Sequence, residues 1–454
     1  MSHLPIWNGL NFCPQGRRGF IKVGALGVGG LSLPLLPPLQ ALGATGKKGS
    51  AQDRSIILFW MAGGPSHIDT YDPKPDAAVE IRGPFGTVET KVPGMQLSEL
   101  LPLQAKIAER LTIIRSISHN LAVHDDGSHW MQTGYPLLNA RARGQTHPAE
   151  GTVVSRLKGA KTPGMPAYVC IPEDYRSHMG FYQTGAYLGS KYNALNGGGD
   201  PSLGNYRPPE FSLPKTVPLA RLDDRKNLLS SLDRFAAHAD AVQQWGDLDD
   251  AQRKAIELAS GSGARQAFDL SLEKPATREA YGQHAYGQSA LLARRLVEAG
   301  TRFVTINLYE KDVDWWDDHT TIEANLRKRL PPFDRAVATL ISDLADRGLS
   351  ENVLVAAYGE FGRSPRIDKG GGRGHWPSAM SVLLSGGGIR GGQIIGSTVP
   401  GGSAPKDRPL TPGHLLATLY HSVGIDPHGT LPDLQNRPIP LVPEGEVIRE
   451  CVVG

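Results

Sequence analysis

The sequence predicts an α/β protein: a doubly wound, mostly parallel sheet with helices on both faces and a helical insertion. Three observations carry this. Short, nearly continuous apolar runs recur along the chain, as strands buried on both faces require. Segments of helical periodicity alternate with them, which implies crossover connections. The polar, chemistry-bearing residues follow the runs, and ligands in such sheets bind beyond the carboxyl ends of the strands.

The first run, Ser55-Ile56-Ile57-Leu58-Phe59-Trp60-Met61, stops at Gly63-Gly64 and reads as a buried parallel strand followed by a loop. Residues 111–114 and 167–171 read as further strands. Residues 193–218 are rich in Gly, Pro and Asn and read as a long surface excursion. Over 222–272 the apolar spacing is helical, with Leu228, Leu229, Leu232 and Phe235 in step, which predicts a helical insertion. An amphipathic helix over 288–299, closed by Gly300, feeds a strand at 303–308. A helix over Pro332–Asp346, ending at Gly348, feeds a strand at 353–358. A strand at 381–385 and a helix around 414–423 complete the order.

Composition excludes several classes. The chain has 454 residues, of which 54 are Gly and 35 are Pro, a loop-rich but not low-complexity balance. Forty percent of residues are hydrophobic and 20% charged, an ordinary globular mixture, and mean hydropathy of -0.27 argues against a multi-span membrane protein. A formal charge of +3 gives no reason to expect nucleic acid as a partner.

Residues 1–44 carry no acid and three cations, Arg17, Arg18 and Lys22. Gly16-Arg17-Arg18-Gly19-Phe20-Ile21-Lys22 fits a twin-arginine export signal, followed by an uncharged stretch to Gly46 and small residues at Ala41, Gly43 and Ala44. Pro34, Pro37 and Pro38 would break a membrane-spanning helix there. The expectation is therefore export to the periplasm or beyond, with no membrane span left after cleavage. Removing three positive charges brings the mature chain from +3 to neutrality.

Five groups of carboxylates and imidazoles fall at expected strand ends and loops along one edge. His67 and Asp69 follow the first strand; His124 and His129 lie in a segment just before Thr133-Gly134. Asp317, Asp318 and His319 follow the 303–308 strand, and Glu360 with Arg363 follows the 353–358 strand. A Gly-rich loop then delivers His375. Imidazole with carboxylate suits Zn, Mn or Fe, and oxygen-rich variants suit Mg or Ca. Rival motifs fail. Gly386-Gly387-Gly388-Ile389-Arg390-Gly391 spells a dinucleotide fingerprint, but strand-like Gln393-Ile394-Ile395 follows it rather than a helix. There is no Walker lysine motif, H-E-x-x-H or G-x-S-x-G elbow.

The order of these pieces resembles the alkaline phosphatase/sulfatase superfamily over residues 55–440. It is closest to an exported branch known as domain-of-unknown-function family 1501. The matching text is Gly63-Gly64-Pro65-Ser66-His67-Ile68-Asp69, Trp316-Asp317-Asp318-His319, Glu360-Phe361-Gly362-Arg363-Ser364-Pro365, Gly374-His375-Trp376-Pro377, Gly386-Gly387-Gly388 and the stretch Leu415 to Asp426. The resemblance implies an alkaline phosphatase-like fold and a divalent metal (Zn, Mn, Mg or Ca) held by Asp317, His319 and His375. Glu360 would stand in place of a later Asp, with Asp69 or His67 substituting for the displaced first-strand acid. Phe361 stands where a partner His of a second metal would be. Cys170-Ile171-Pro172 resembles a sulfatase nucleophile segment but lacks its Arg and follows the wrong segment, which disfavours a formylglycine mechanism.

The function these features predict is an exported metal-dependent hydrolase of phosphate or sulfate esters. Its substrate would be an anionic small molecule or polysaccharide, clamped by Arg363, with His124 or His129 as nucleophile or general acid. The competing expectation is a catalytically degenerate member that binds metal or polyanion without turnover.

Overall fold

The computed structural model describes residues 50–172, 183–209, 262–308 and 316–453. The segment 1–44, residues 222–261 of the expected insertion, and residues 314 and 315 lie outside the described residues. Residues 262–272 form a helix at Ser262–Phe268 and a 3-10 turn at Leu270–Leu272.

Eight strands make the central sheet: β1 (Ser55–Trp60), β2 (Thr112–Ile117), β3 (Tyr168–Ile171), β4 (Leu195–Asn196), β5 (Phe303–Asn307), β6 (Val353–Tyr358), β7 (Met380–Gly386) and β8 (Gln393–Ile395). Their order is β8-β2-β7-β6-β1-β5-β3-β4. Only β7 runs against its neighbours, β2 and β6; the remaining pairs are parallel. This is a doubly wound, mostly parallel α/β sheet.

β1 shows why the chain folds this way. All six of its residues are buried, so both faces must be covered. Ile57 and Phe59 pack in one core with α3 (Ala285–Ala299) and α4 (Ile322–Asp346). Ile56, Leu58 and Trp60 pack in the other with α1 (His124–Thr133), α2 (Glu150–Lys158) and α5 (Pro412–Ser422). Trp60 pairs with Asn307 on one side and Tyr358 on the other, so three central strands end level. The loops after β1, β5 and β6 therefore leave from one line.

Two expectations need correction. The span 193–218 contains β4, an edge strand added parallel to β3; two residues are too few for periodicity to register. The helix expected from Pro332 begins at Ile322 and runs through Pro331 and Pro332. Proline suits a helix start, since an N1 position needs no amide donor. Inside a helix the two prolines leave the carbonyls four residues earlier, at Arg327 and Lys328, without amide partners. Both of those residues are exposed, so water can serve.

On the α2 and α5 side the core encloses an acid. Glu150 is 2% exposed, with the buried Tyr358 hydroxyl against its carboxyl and Tyr420 nearby. Burial pushes the Glu150 carboxyl up to about 8. The native state thus keeps a proton that the unfolded chain releases in the ordinary glutamate range. That contribution is complete below the unfolded pKa and disappears as pH rises through about 8. Glu150→Gln keeps the shape without the ionisation. Its melting temperature should vary less between about pH 5 and 9 than the wild-type value, read by circular dichroism.

Candidate metal centre

The site assembles where β1, β5 and β6 end. Gly63, in the loop after β1, has φ +103, and a Cβ there would lie 2.6 Å from the Asp317 amide nitrogen. The two loops touch backbone to backbone, which only glycine permits. Gly372 is as tight: a Cβ on it would fall 2.0 Å from the His319 carbonyl carbon. These contacts bring the 317–319 segment against both the β1 loop and the Gly-rich loop before His375. That loop ends in a two-residue antiparallel ladder pairing His375 with Arg363 and Trp376 with Gly362, so the histidine is fixed in register rather than free.

Asp317, His124 and His375 each offer one ligand atom, all within 4.8 Å of one another. His375 Nε2 lies 3.1 Å from Asp317 Oδ1. His319 joins from the solvent side, its Nε2 2.9 Å from both Asp317 Oδ1 and His375 Nε2. His124 Nε2 is buried and 3.2 Å from Asp317 Oδ2, ion-pair distance without a well-aligned hydrogen bond among the described residues.

The outer contacts set which ring nitrogens face inward. His375 Nδ1 donates to the Ala122 carbonyl at 2.7 Å, and His124 Nδ1 donates to Glu360 Oε1 at 2.6 Å. Each ring therefore directs Nε2 at Asp317, the arrangement that carbonyls and carboxylates impose on metal-binding histidines. Several lone pairs then face one small space with too few protons between them. A cation is the species that satisfies them, and the donor set fits one. Without it a proton does the work. Burial opposes charge on His124, but Asp317 and Glu360 outweigh it and raise the ring to about 9. Burial also opposes charge on Asp317, but His124, His375 and the Arg363 guanidinium hold its carboxyl far below the usual range.

Other expected site residues are placed differently. Glu360 is not in the inner group. Its Oε1 is shared between His124 Nδ1 and the Gly63 amide at 2.8 Å, so it orients His124 from behind. Asp69 is committed elsewhere: it pairs with Arg373, Nε to Oδ2 at 2.7 Å, and accepts from Ser66, with both charged partners fully buried. His67 donates from Nε2 to the Gly402 carbonyl at 2.7 Å, and burial lowers its pKa. Arg363 is no mobile clamp. It is fully buried, donates to the Gly63, Gly64 and Arg373 carbonyls, and reaches Asp317 Oδ1 at 2.5 Å. His129 sits five residues after His124 on α1, roughly 140° around the helix, and binds the Tyr135 carbonyl at 2.7 Å instead. Asp318 turns away from Asp317 to Arg329 at 2.8 Å. Cys170 donates to Gln183 Oε1 at 3.1 Å and is not bridged to Cys451.

The residue pattern alone does not reveal Arg373 or the Ala122 carbonyl. Arg373 lies 304 residues from Asp69, and nothing local to either announces the pair. A backbone carbonyl carries no residue-type signal at all. The position after Glu360 is legible: Phe361 packs against His124 and His375 with ring centroids 5.0 and 4.7 Å away.

A profile of the family described as "Protein of unknown function (DUF1501)" matches residues 53–452. No curated protein matches the chain. Similar solved structures include a sulfatase from Pseudoalteromonas sp., at 10% identity, covering 82% of this chain and 68% of that one with a TM-score of 0.35. A phosphonate monoester hydrolase of Agrobacterium radiobacter matches at 10% identity, 87% and 76% coverage and a TM-score of 0.36. A lipoteichoic acid synthase from Listeria monocytogenes matches at 9%, 83% and 73%, with a TM-score of 0.35. Scores this low carry no functional argument.

The Asp69–Arg373 pair generates a stability prediction. Arg373→Ala leaves a buried carboxylate without its counter-charge and should cost about 3–5 kcal/mol. Urea denaturation monitored by fluorescence measures it.

Proposed function

From the premise that this chain belongs to the DUF1501 family, we propose that it is an exported metal-dependent hydrolase of phosphate or sulfate esters. The observation that carries the proposal is the convergence of His124, Asp317 and His375 with two of the imidazoles oriented from behind. The motif order, which resembles the alkaline phosphatase/sulfatase superfamily, supports the same reading. An imidazole-rich donor set favours zinc or manganese over magnesium or calcium. A divalent ion held there supplies Lewis-acid polarisation of the ester.

The chain's own residues divide the remaining work. Asp317 provides the anionic donor and is held in place by Arg363. Glu360 and the Ala122 carbonyl keep His124 and His375 in the tautomer that presents Nε2. Catalytic zinc sites retain three protein ligands and one exchangeable position. His319, with 49% of its side chain exposed, is the donor able to give way to substrate.

A second reading, metal or polyanion binding without turnover, is favoured by Phe361. Its fully buried ring lies against His124 and His375, where a donor for a second ion would stand. Elemental analysis of gently purified protein, then chromogenic phosphate and sulfate esters, separates the two. The hydrolase reading expects about one ion per chain and turnover; bound metal without turnover establishes the second reading, and no metal sinks the hydrolase reading. His375→Ala should lower metal affinity by at least about 10–100-fold, the scale of losing even an outer-shell partner, with unchanged circular dichroism. His319→Ala should retain both metal and turnover, because His124, Asp317 and His375 still leave the exchangeable position to substrate.

Export belongs to the same proposal. Replacing Arg17 and Arg18 by Lys should leave the precursor in the cytoplasm, seen by fractionation and immunoblotting. Normal export of that variant would overturn the twin-arginine reading.

A further inference from the structure

Beside the metal centre lies a cleft of about 630 Å³ that the hydrolytic reading leaves unused. Val79, Pro84, Ile322 and Ile367 line it, with Glu323 and Arg327 on its wall. This volume is within the usual range for small-molecule sites, and a largely apolar lining with few polar groups is their usual character.

The cleft and the site are built on the same two chain segments. Thr321 is two residues from His319, hence within about 7 Å Cα to Cα. Gly371, also in the lining, forms an antiparallel bridge with Thr320 and lies in the loop that ends at His375. One pair of loops therefore carries metal donors at one end and cleft wall at the other. Between them Thr321 has φ 46 and ψ 40. A β-branched residue in the left-handed region is strained by on the order of 1–3 kcal/mol. Its side chain does not cap α4, so no helix-capping bond offsets that strain.

The lining also narrows the ligand. Glu323 and Arg327 pair with each other at 2.9 Å, and the Arg327 guanidinium lies 5.3 Å from the Phe85 ring. Their charges are largely spent on each other. Among the described residues, the lining offers no Asn, Gln, Asp or His and no Trp or Tyr, the side chains that would grip sugar hydroxyls or stack on a sugar face. Val79, by contrast, is 63% exposed at the rim, an apolar surface with nothing covering it among the described residues.

We infer that this cleft receives the apolar alcohol portion of the ester, an aryl or medium-chain alkyl group, while the anionic head meets the metal centre. The inference rests on the hydrolase reading and makes the substrate a small anionic ester of an apolar alcohol rather than a polysaccharide.

The test uses the full mature chain loaded with zinc, and the variant Ala324→Trp, which fills the cleft from an exposed position on α4. Binding of 2-naphthol is followed by amide chemical shifts, and hydrolysis of naphthyl and methyl esters of phosphate and sulfate is measured in parallel. Naphthol should shift the amides of Ile322, Ala324 and Ile367. Ala324→Trp should weaken that binding and raise KM for the naphthyl esters by about tenfold or more, a change of about 1.4 kcal/mol or more. Its kcat/KM for the methyl esters should stay near wild type. If naphthol leaves those amides unmoved, or the variant binds it and turns over naphthyl esters like wild type, the cleft assignment is wrong. Naphthol binding without hydrolysis of any ester would instead leave the cleft as an apolar site and remove the hydrolase reading.

Discussion

Two buried guanidinium groups hold together the edge of this molecule that carries the candidate site. Arg363 and Arg373 have no solvent exposure, and burying such charge costs several kcal/mol unless acceptors are met all round. Both are met. Arg363 takes the Gly63, Gly64 and Arg373 carbonyls and Asp317; Arg373 takes Asp69 with the Ser364, Pro365 and Ile81 carbonyls. Together they tie the loop after β1, the segment after β5 and the Gly-rich loop before His375 into one rigid set. Loops leaving three different strands would otherwise have no reason to keep ångström-level register.

That rigidity decides what Asp317 can be. One oxygen is claimed by Arg363 and approached by His319 and His375, while the other faces His124. The neighbouring Asp318 is withdrawn to Arg329 and Asn325 on α4. Two adjacent acids are thus split between work in the cavity and anchorage of a helix. Arg363, whose planar fork suggests an anion clamp, is instead the support that keeps Asp317 aimed. A committed guanidinium cannot also follow a substrate.

Glu360 shows the same economy of position. Its Oε1 receives both the Gly63 amide and the His124 ring, so the loop contact and the tautomer of a histidine in the candidate site are fixed by one atom. Phe361, one residue on, lays its ring against the same two histidines and Gly64. The result is a compact group of nitrogens and one carboxylate, walled by an aromatic ring on one side and open at His319 on the other.

Most of the architecture is readable in the residues themselves. Six-residue apolar runs such as β1 and β6 can only be strands covered on both faces, and Gly63-Gly64, Glu360 and His375 announce where loops carry chemistry. The grouping of Asp317, His319 and His375 comes from the resemblance in motif order, not from local pattern. What the residues do not disclose is partnership. Whether Asp69 faces a metal or Arg373 depends on a contact across 304 residues, and whether Glu360 binds or merely orients depends on which atom His124 turns toward it. Helix α4 makes the same point at Pro331 and Pro332, where an expected start becomes an interior because exposed carbonyls can take water. Local pattern determines which segments become strands and helices, since burial acts on each segment separately. The roles of buried charges are decided only by the tertiary structure, because a charge taken out of water is defined by the counter-charge that meets it.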